Sequence, residues 1–122
     1  MVIKIGINGF GRIGRLVMRA AAENPDVSIM QINDPAGDPA TLAHLLQFDS
    51  VHGRSAHEAT AENDRIQFAN FNALVSQNKN IAESDWSTCD VVIEASGKMK
   101  TKAMLQAYLD QGVKRVVVTA PV

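Results

Sequence analysis

The chain of 122 residues has one cysteine, Cys89, so no disulfide can close within it, and a reducing compartment is expected. It has no excess of charge: 12 basic residues stand against 13 acidic ones. That balance argues against an electrostatic surface for nucleic acid or for a membrane. No apolar run approaches the roughly 20 residues that a bilayer-spanning helix needs. Nothing before the first predicted strand reads as a signal or transit peptide. There are no repeats and no low-complexity tracts. His44, His52 and His57 never pair as His-x-His or at i, i+4, so no metal site is expected. What remains is one ordinary domain, cytoplasmic by default, long enough to bury most of its apolar surface.

What is present is concentrated near the amino end. Ile3, Ile5 and Ile7 are β-branched and suit a buried parallel strand. Gly9, Gly11 and Gly14 follow with the spacing G-x-G-x-x-G. Ile13, Leu16, Val17, Ala20 and Ala21 then recur at helical spacing and predict the buried stripe of a first helix over about 12–23. Asp34 ends a second apolar run, Val27 to Asn33. Strand, glycines, helix and a later acid make up the context of a dinucleotide-binding βαβ unit.

Each residue type has a physical reason. Gly9 allows a tight turn out of the strand, Gly11 lets the backbone approach a pyrophosphate, and Gly14 lets the helix pack close to the sheet. Amides around Gly11, Arg12 and Ile13 would point at the ligand, whose negative charge the helix dipole favours. Asp34, on the neighbouring strand, would accept hydrogen bonds from both ribose hydroxyls. Its charge would repel a 2′-phosphate, so NAD is expected over NADP.

The rest of the chain alternates strands and helices. Asp38 is placed to cap a short second helix, with Pro39 at its first position and Leu42, Leu45 and Leu46 buried. Phe48 to Arg54 reads as a loop. Residues 56–76 read as a small antiparallel insertion with turns at Asn63-Asp64 and Asn70. Asp90 to Gly97 is a further strand, followed by a helix over about 101–111 that Gly112 ends, and a last strand at Arg115 to Thr119. The expected fold is therefore α/β: a Rossmann-type, doubly wound, mostly parallel sheet carrying that insertion, in a single domain over 1–122. Ligands in such folds gather at the carboxyl ends of the strands.

Ile5-Gly6-Ile7-Asn8-Gly9-Phe10-Gly11-Arg12-Ile13-Gly14-Arg15, Ile32-Asn33-Asp34 and Asp49-Ser50-Val51-His52-Gly53-Arg54 stand in this order, followed by Val92-Ile93-Glu94-Ala95-Ser96-Gly97 and Val117-Val118-Thr119-Ala120-Pro121. Together they resemble the amino-terminal half of phosphorylating glyceraldehyde-3-phosphate dehydrogenases over the whole chain. The resemblance implies that Arg12 and Ile13 give amides to the pyrophosphate and that Asn33 and Asp34 hold the adenosine ribose. Ser96 and Gly97 would line the middle of the cofactor, with Thr119 near the nicotinamide. Asn8, Gly9, Phe10, Gly11, Gly14 and Pro35 complete the rim. Where the family usually has Glu-Arg-Asp-Pro, this chain has Ser76-Gln77-Asn78-Lys79-Asn80, so Lys79 is the stand-in beside the adenine. Met99 takes a place where an aromatic residue is common.

These departures, with Asp34-Pro35-Ala36-Gly37-Asp38, resemble a subgroup found beside arsenical efflux proteins, so the acyl acceptor is phosphate or arsenate. The resemblance implies an NAD-dependent oxidation of glyceraldehyde 3-phosphate by a cytoplasmic homotetramer. Its catalytic cysteine and histidine would lie in a second domain, so this chain would bind cofactor without catalysing. The alternative is a non-catalytic NAD(H)-sensing or scaffolding module. Cys89 precedes a strand, at the edge away from the ligand crevice, and reads as a buried small residue. Glu94 reads as a structural carboxylate facing backbone amides.

Overall fold

The β-branched run at the amino end forms the middle one of five parallel strands. The computed structural model describes residues 2–35, 38–49, 53–54, 59–68, 71–78, 84–95 and 102–118. In chain order the elements are β1 (Ile3–Asn8), α1 (Arg12–Ala21), β2 (Val27–Asn33), α2 (Pro39–Gln47), β3 (Phe48–Asp49) and β4 (Gly53–Arg54). There follow β5 (Ala59–Glu62), β6 (Arg65–Phe68), β7 (Phe71–Ser76), β8 (Val91–Glu94), α3 (Lys102–Asp110) and β9 (Arg115–Val118). Seven strands make one sheet in the order β5-β6-β7-β2-β1-β8-β9. β7, β2, β1, β8 and β9 run parallel to one another, and β5 and β6 are antiparallel. This is a Rossmann-type α/β fold. The chain winds outward from β1 to β2 and β7, then returns to place β8 on the other side of β1. The strand order thus reverses at β1, which is where such sheets open a crevice.

The small antiparallel portion expected over 56–76 is there: β5 pairs antiparallel with β6 and β6 with β7, and because β7 pairs parallel with β2 it extends the main sheet. Asn63 turns the β5–β6 hairpin with φ at 56°. One expectation needs correction: Phe48 to Arg54 is not all loop, because Phe48 pairs with Arg54 and Asp49 with Gly53. A two-residue strand is too short for alternation to reveal it.

Successive residues of β1 point to opposite faces, and each face has its own core. Ile7 joins Ile29, Ile32, Met18, Leu42 and Leu46 on one side. Gly6 faces the other, where Trp86, Cys89, Val92 and Tyr108 cluster. A Cβ on Gly6 would stand 2.8 Å from Cys89 Sγ and from two atoms of the Trp86 ring, so that core presses directly on the β1 backbone. Trp86 and Tyr108 meet edge to face at 5.4 Å. The β1–β2 register carries a bulge: Ile5 pairs with Ile29 but Gly6 with Gln31, leaving Met30 as the extra residue. Without it Asn8 would stand opposite Ile32 rather than Asn33.

The helix α1 is rotated relative to the stripe its periodicity suggests. Ile13 and Leu16 are exposed, while Gly14, Met18 and Ala21 face the sheet. The cause is Gly14, whose added Cβ would lie 2.4 Å from the Gly9 carbonyl oxygen. Only with this residue turned inward can the helix lie so close to the β1 turn. α1 also ends two residues early, at Ala21, because Pro25 disfavours helix in the residue before it and the Asn24 side chain bonds the Asp26 amide. Arg19 of α1 then donates twice to the Leu46 carbonyl, at 2.9 and 2.7 Å, satisfying the carboxyl end of α2.

Local signals elsewhere hold. Asp38 Oδ1 accepts the Thr41 amide at 2.7 Å and caps α2, with Pro39 as its first residue. Leu42 and Leu46 are buried as expected. Beyond α3, Gly112 adopts φ 97°, and the Gly112 and Val113 amides bond the Leu109 and Tyr108 carbonyls. That is a Schellman ending.

Candidate functional site

The carboxyl ends of β2, β1 and β8 lie side by side and form one rim. Asn8 pairs with Asn33 on one side and with Glu94 on the other. Gly9 leaves β1 at φ 96°, a left-handed turn that favours glycine, and its amide bonds the Asn33 carbonyl at 2.7 Å. The Asp34 amide bonds the Ser76 carbonyl at 2.9 Å, which draws the end of β7 into the same rim. Ala95 closes the other side by donating to the Asn8 carbonyl at 2.7 Å.

Gly11 is the N-cap of α1 and brings no side chain to the amides of the first turn. Among the described residues a Cβ there would meet nothing within 4 Å, so this corner of the turn is open on their side. No acidic residue occupies the first turn of α1. The helix therefore offers its positive end to an outside anion. Asp34 stands beside it, half-buried, and its Oδ2 accepts the Phe10 amide at 2.8 Å. Phe10 is itself buried, and Arg15 donates to its carbonyl at 3.2 Å. Turn and carboxylate are thus tied to each other.

Behind the rim lies a connected set of buried polar side chains. Asn8 Nδ2 donates to Glu94 Oε2 at 2.9 Å and to the Tyr108 hydroxyl at 2.7 Å, and Tyr108 in turn donates to Glu94. Asn33 Nδ2 donates to Asn8 Oδ1 at 2.9 Å and to the Asn78 carbonyl at 2.8 Å. Asn33 Oδ1 accepts from Ser76 Oγ at 2.7 Å and from the Asn78 amide at 2.9 Å, with Ser84 Oγ at 3.3 Å. Burial first, then the hydrogen bond to Glu94, pushes the Tyr108 phenol well above its ordinary pKa, so it stays a donor. Glu94 accepts from the side chains of Asn8 and Tyr108, where backbone amides were expected as its partners.

A comparison with family models matches residues 3–102 to "Glyceraldehyde 3-phosphate dehydrogenase, NAD binding domain". Glyceraldehyde-3-phosphate dehydrogenase 3 of Nostoc sp. is 42% identical over 124 residues, covering 100% of this chain and 37% of that protein. The chain belongs to this family. The glyceraldehyde-3-phosphate dehydrogenase of Cereibacter sphaeroides is 44% identical over 99% of the chain and 37% of its own length. That of Heyndrickxia coagulans is 39% identical over 99% of the chain and 36% of its own length. The chain thus spans little more than a third of the relatives it matches. NAD is the cofactor of the domain family.

Of the residues that the family motifs single out, Asn8, Gly9, Phe10, Gly11, Gly14, Asn33, Asp34 and Pro35 come together on this rim, with Arg12 and Ile13 opening α1 beside it. Lys79, Ser96, Gly97, Met99 and Thr119 lie outside the described residues, as do His52, His57 and Asn70. Asn8 and Asn33 are both 3% exposed, with their amides engaged in the network behind the rim. Tyr108, Ser84 and Asn78 belong to this network, and pattern reading missed them. Two asparagines ending adjacent buried strands were the available signal, since buried amides require partners.

Cys89 is 2% exposed at the opposite edge, and burial, with smaller contributions from the Asp90 and Asp85 charges, pushes its thiol up to about 11. Both burial and the raised pKa disfavour its thiolate at neutral pH. A cavity of about 540 Å³ at that same edge is lined by Val2, Lys4, Asp90 and Lys114 and shares nothing with the rim. Among the described residues no group of three or more His, Cys, Asp or Glu could hold a metal ion. No helix among them is long and apolar enough to cross a membrane.

Proposed function

We propose that the whole chain is one domain holding the adenosine diphosphate half of NAD on the rim of β1, β2 and α1. The observation that carries this reading is the hydrogen bond from the Phe10 amide to Asp34. It joins the turn suited to a pyrophosphate to the carboxylate suited to a ribose. A carboxylate has about four lone-pair directions, so a bond from Phe10 and bonds from ribose hydroxyls are compatible. The open corner at Gly11 admits diphosphate oxygens to the amides of Arg12 and Ile13. Gly9 and Gly14 shape the turn. Asn8 and Asn33 support it from behind, and Pro35 borders it. By family likeness Lys79 and Met99 frame the adenine, Ser96 and Gly97 the middle of the cofactor, and Thr119 the nicotinamide end.

The full protein, in this reading, is a phosphorylating aldehyde dehydrogenase that oxidises glyceraldehyde 3-phosphate, with phosphate or arsenate capturing the acyl group. When bound, NAD supplies the acceptor for the hydride. This chain contributes orientation, holding the cofactor so that reacting groups carried elsewhere meet it in one geometry. In this reading the reactive thiol lies elsewhere, since burial of Cys89 favours its protonated form. A cytoplasmic homotetramer is the assembly that fits, and one relative, from Chondrus crispus, is named as cytosolic.

Calorimetric titration of the chain with NAD and NADP tests the proposal. One saturable NAD site is expected, with NADP bound at least about tenfold more weakly, a difference of about 1.4 kcal/mol. Equal affinities, or no heat with either, would overturn it.

A further inference from the structure

The side-chain hydrogen bonds that link Ser76 to Glu94 run in one direction, while Asn33 also donates back to the Asn78 carbonyl at 2.8 Å. Ser76 and the Asn78 amide donate to Asn33 Oδ1, Asn33 Nδ2 donates to Asn8 Oδ1, and Asn8 Nδ2 donates to Glu94 and Tyr108. Tyr108 passes its own proton-bearing bond to Glu94. Glu94 Oε2 accepts at the end of this chain of donors. Each side-chain amide has an oxygen and an NH2 group that differ only in which neighbours they suit. The end that Glu94 and Tyr108 demand from Asn8 therefore decides which end Asn8 shows to Asn33. Asn33 shows its oxygen to Ser76 and to the Asn78 amide, an order that the Asn78 backbone also requires.

From this geometry we infer that Tyr108 and Glu94 are positioning residues for the cofactor rim, acting through Asn8 and Asn33 on the backbone that carries Gly9 and Asp34. The link to the rim is direct: the Asn33 carbonyl holds the Gly9 amide at 2.7 Å, and Ser76, which holds the Asn33 side chain, also holds the Asp34 amide at 2.9 Å. α3 lies on the far face of the sheet from α1, yet it holds one end of the network behind the crevice. That end is closed to water, Tyr108 being 0% and Glu94 1% exposed. Buried networks of this kind are rigid only when every member is satisfied. Removing the Tyr108 hydroxyl takes one of two acceptors from the Asn8 NH2, so Asn8, then held by Glu94 and Asn33 alone, can shift and carry its bond to Asn33 with it. The effect on NAD rests on the reading of the rim given above. The effect on the asparagines does not.

The test uses the 122-residue chain with Tyr108→Phe and Glu94→Gln, each checked for folding by circular dichroism. One readout is the NAD dissociation constant. The other is the pair of side-chain NH2 resonances of Asn8 and Asn33, assigned by nitrogen-15 NMR. In Tyr108→Phe, NAD affinity should fall about tenfold, the loss expected for one buried bond. The Asn33 NH2 signals should also move, although Asn33 does not touch Tyr108. Should Tyr108→Phe fail to fold, Glu94→Gln carries the same two expectations. Signals that move at Asn8 alone, with NAD affinity unchanged, would overturn the inference and leave Tyr108 a packing residue. A parent chain that binds no NAD would refute the rim's function, while the Asn33 signals still decide whether the relay exists.

Discussion

Gly14 lies so close to Gly9 that a Cβ on it would stand 2.4 Å from the Gly9 carbonyl oxygen. One contact thereby sets the rotation of α1, the approach of its amino end to the β1 turn and the open corner at Gly11. The glycines of the motif are not equivalent in consequence, because their surroundings differ.

Gly14→Ala must push α1 from the sheet and should cost about 1–3 kcal/mol, read as a lower urea midpoint. Gly11→Val should leave the midpoint nearly unchanged, since its position is open on the side of the described residues, and abolish NAD binding in calorimetry. The reverse ranking of stability would contradict the packing described.

The rotation of α1 has its own test. Met18 is fully buried and Leu16 is 38% exposed. Met18→Ala should cost about 2–5 kcal/mol and Leu16→Ala well under half of that. Denaturant titration of both variants compares the two faces directly.

Asp34 serves both the fold and the ligand, and Asp34→Asn separates the roles. The amide oxygen can still accept from Phe10, so the fold should persist, while the negative charge is gone. NAD affinity should fall about tenfold or more, as charged hydrogen bonds are worth about 1.5–3 kcal/mol. NADP should lose less, and the preference between the two should narrow. Competition binding with both nucleotides measures it.

Alkali should destabilise the protein in a defined window. The folded Cys89 thiol is raised from its ordinary value near 9.0 to about 11. Between those values the unfolded chain gives up the proton that the folded chain keeps, so stability falls as pH rises. The Tyr108 phenol, also raised on folding, acts in the same direction above its unfolded value. Urea midpoints should hold steady below about pH 9 and decline toward pH 11. A disulfide reagent should label Cys89 slowly at pH 8 unless denaturant is added.

What was legible in the sequence was local. The Gly9 turn, the Asp38 cap, Pro39 at the start of α2 and Gly112 after α3 each depend on one or two neighbouring residues, and each stands where its chemistry requires. The buried face of α1 was misread because apolar count favoured Ile13 and Leu16, while a tertiary contact at Gly14 decides the rotation. The polar network was out of reach for a related reason. Asn8 meets Asn33 only because Met30 is an extra residue in the β1–β2 pairing, and no local pattern announces that bulge. Tyr108 looked like one more apolar position of α3. Its hydroxyl partner, Glu94, comes from β8, next to β1 in the sheet.

A crystal structure of the chain with NAD is the most direct test of the central claim. The account predicts ribose hydroxyls within about 3 Å of the Asp34 carboxylate and diphosphate oxygens on the amides that open α1. NAD bound elsewhere, or an Asp34 that keeps Phe10 as a partner while the ribose sits out of its reach, would contradict it.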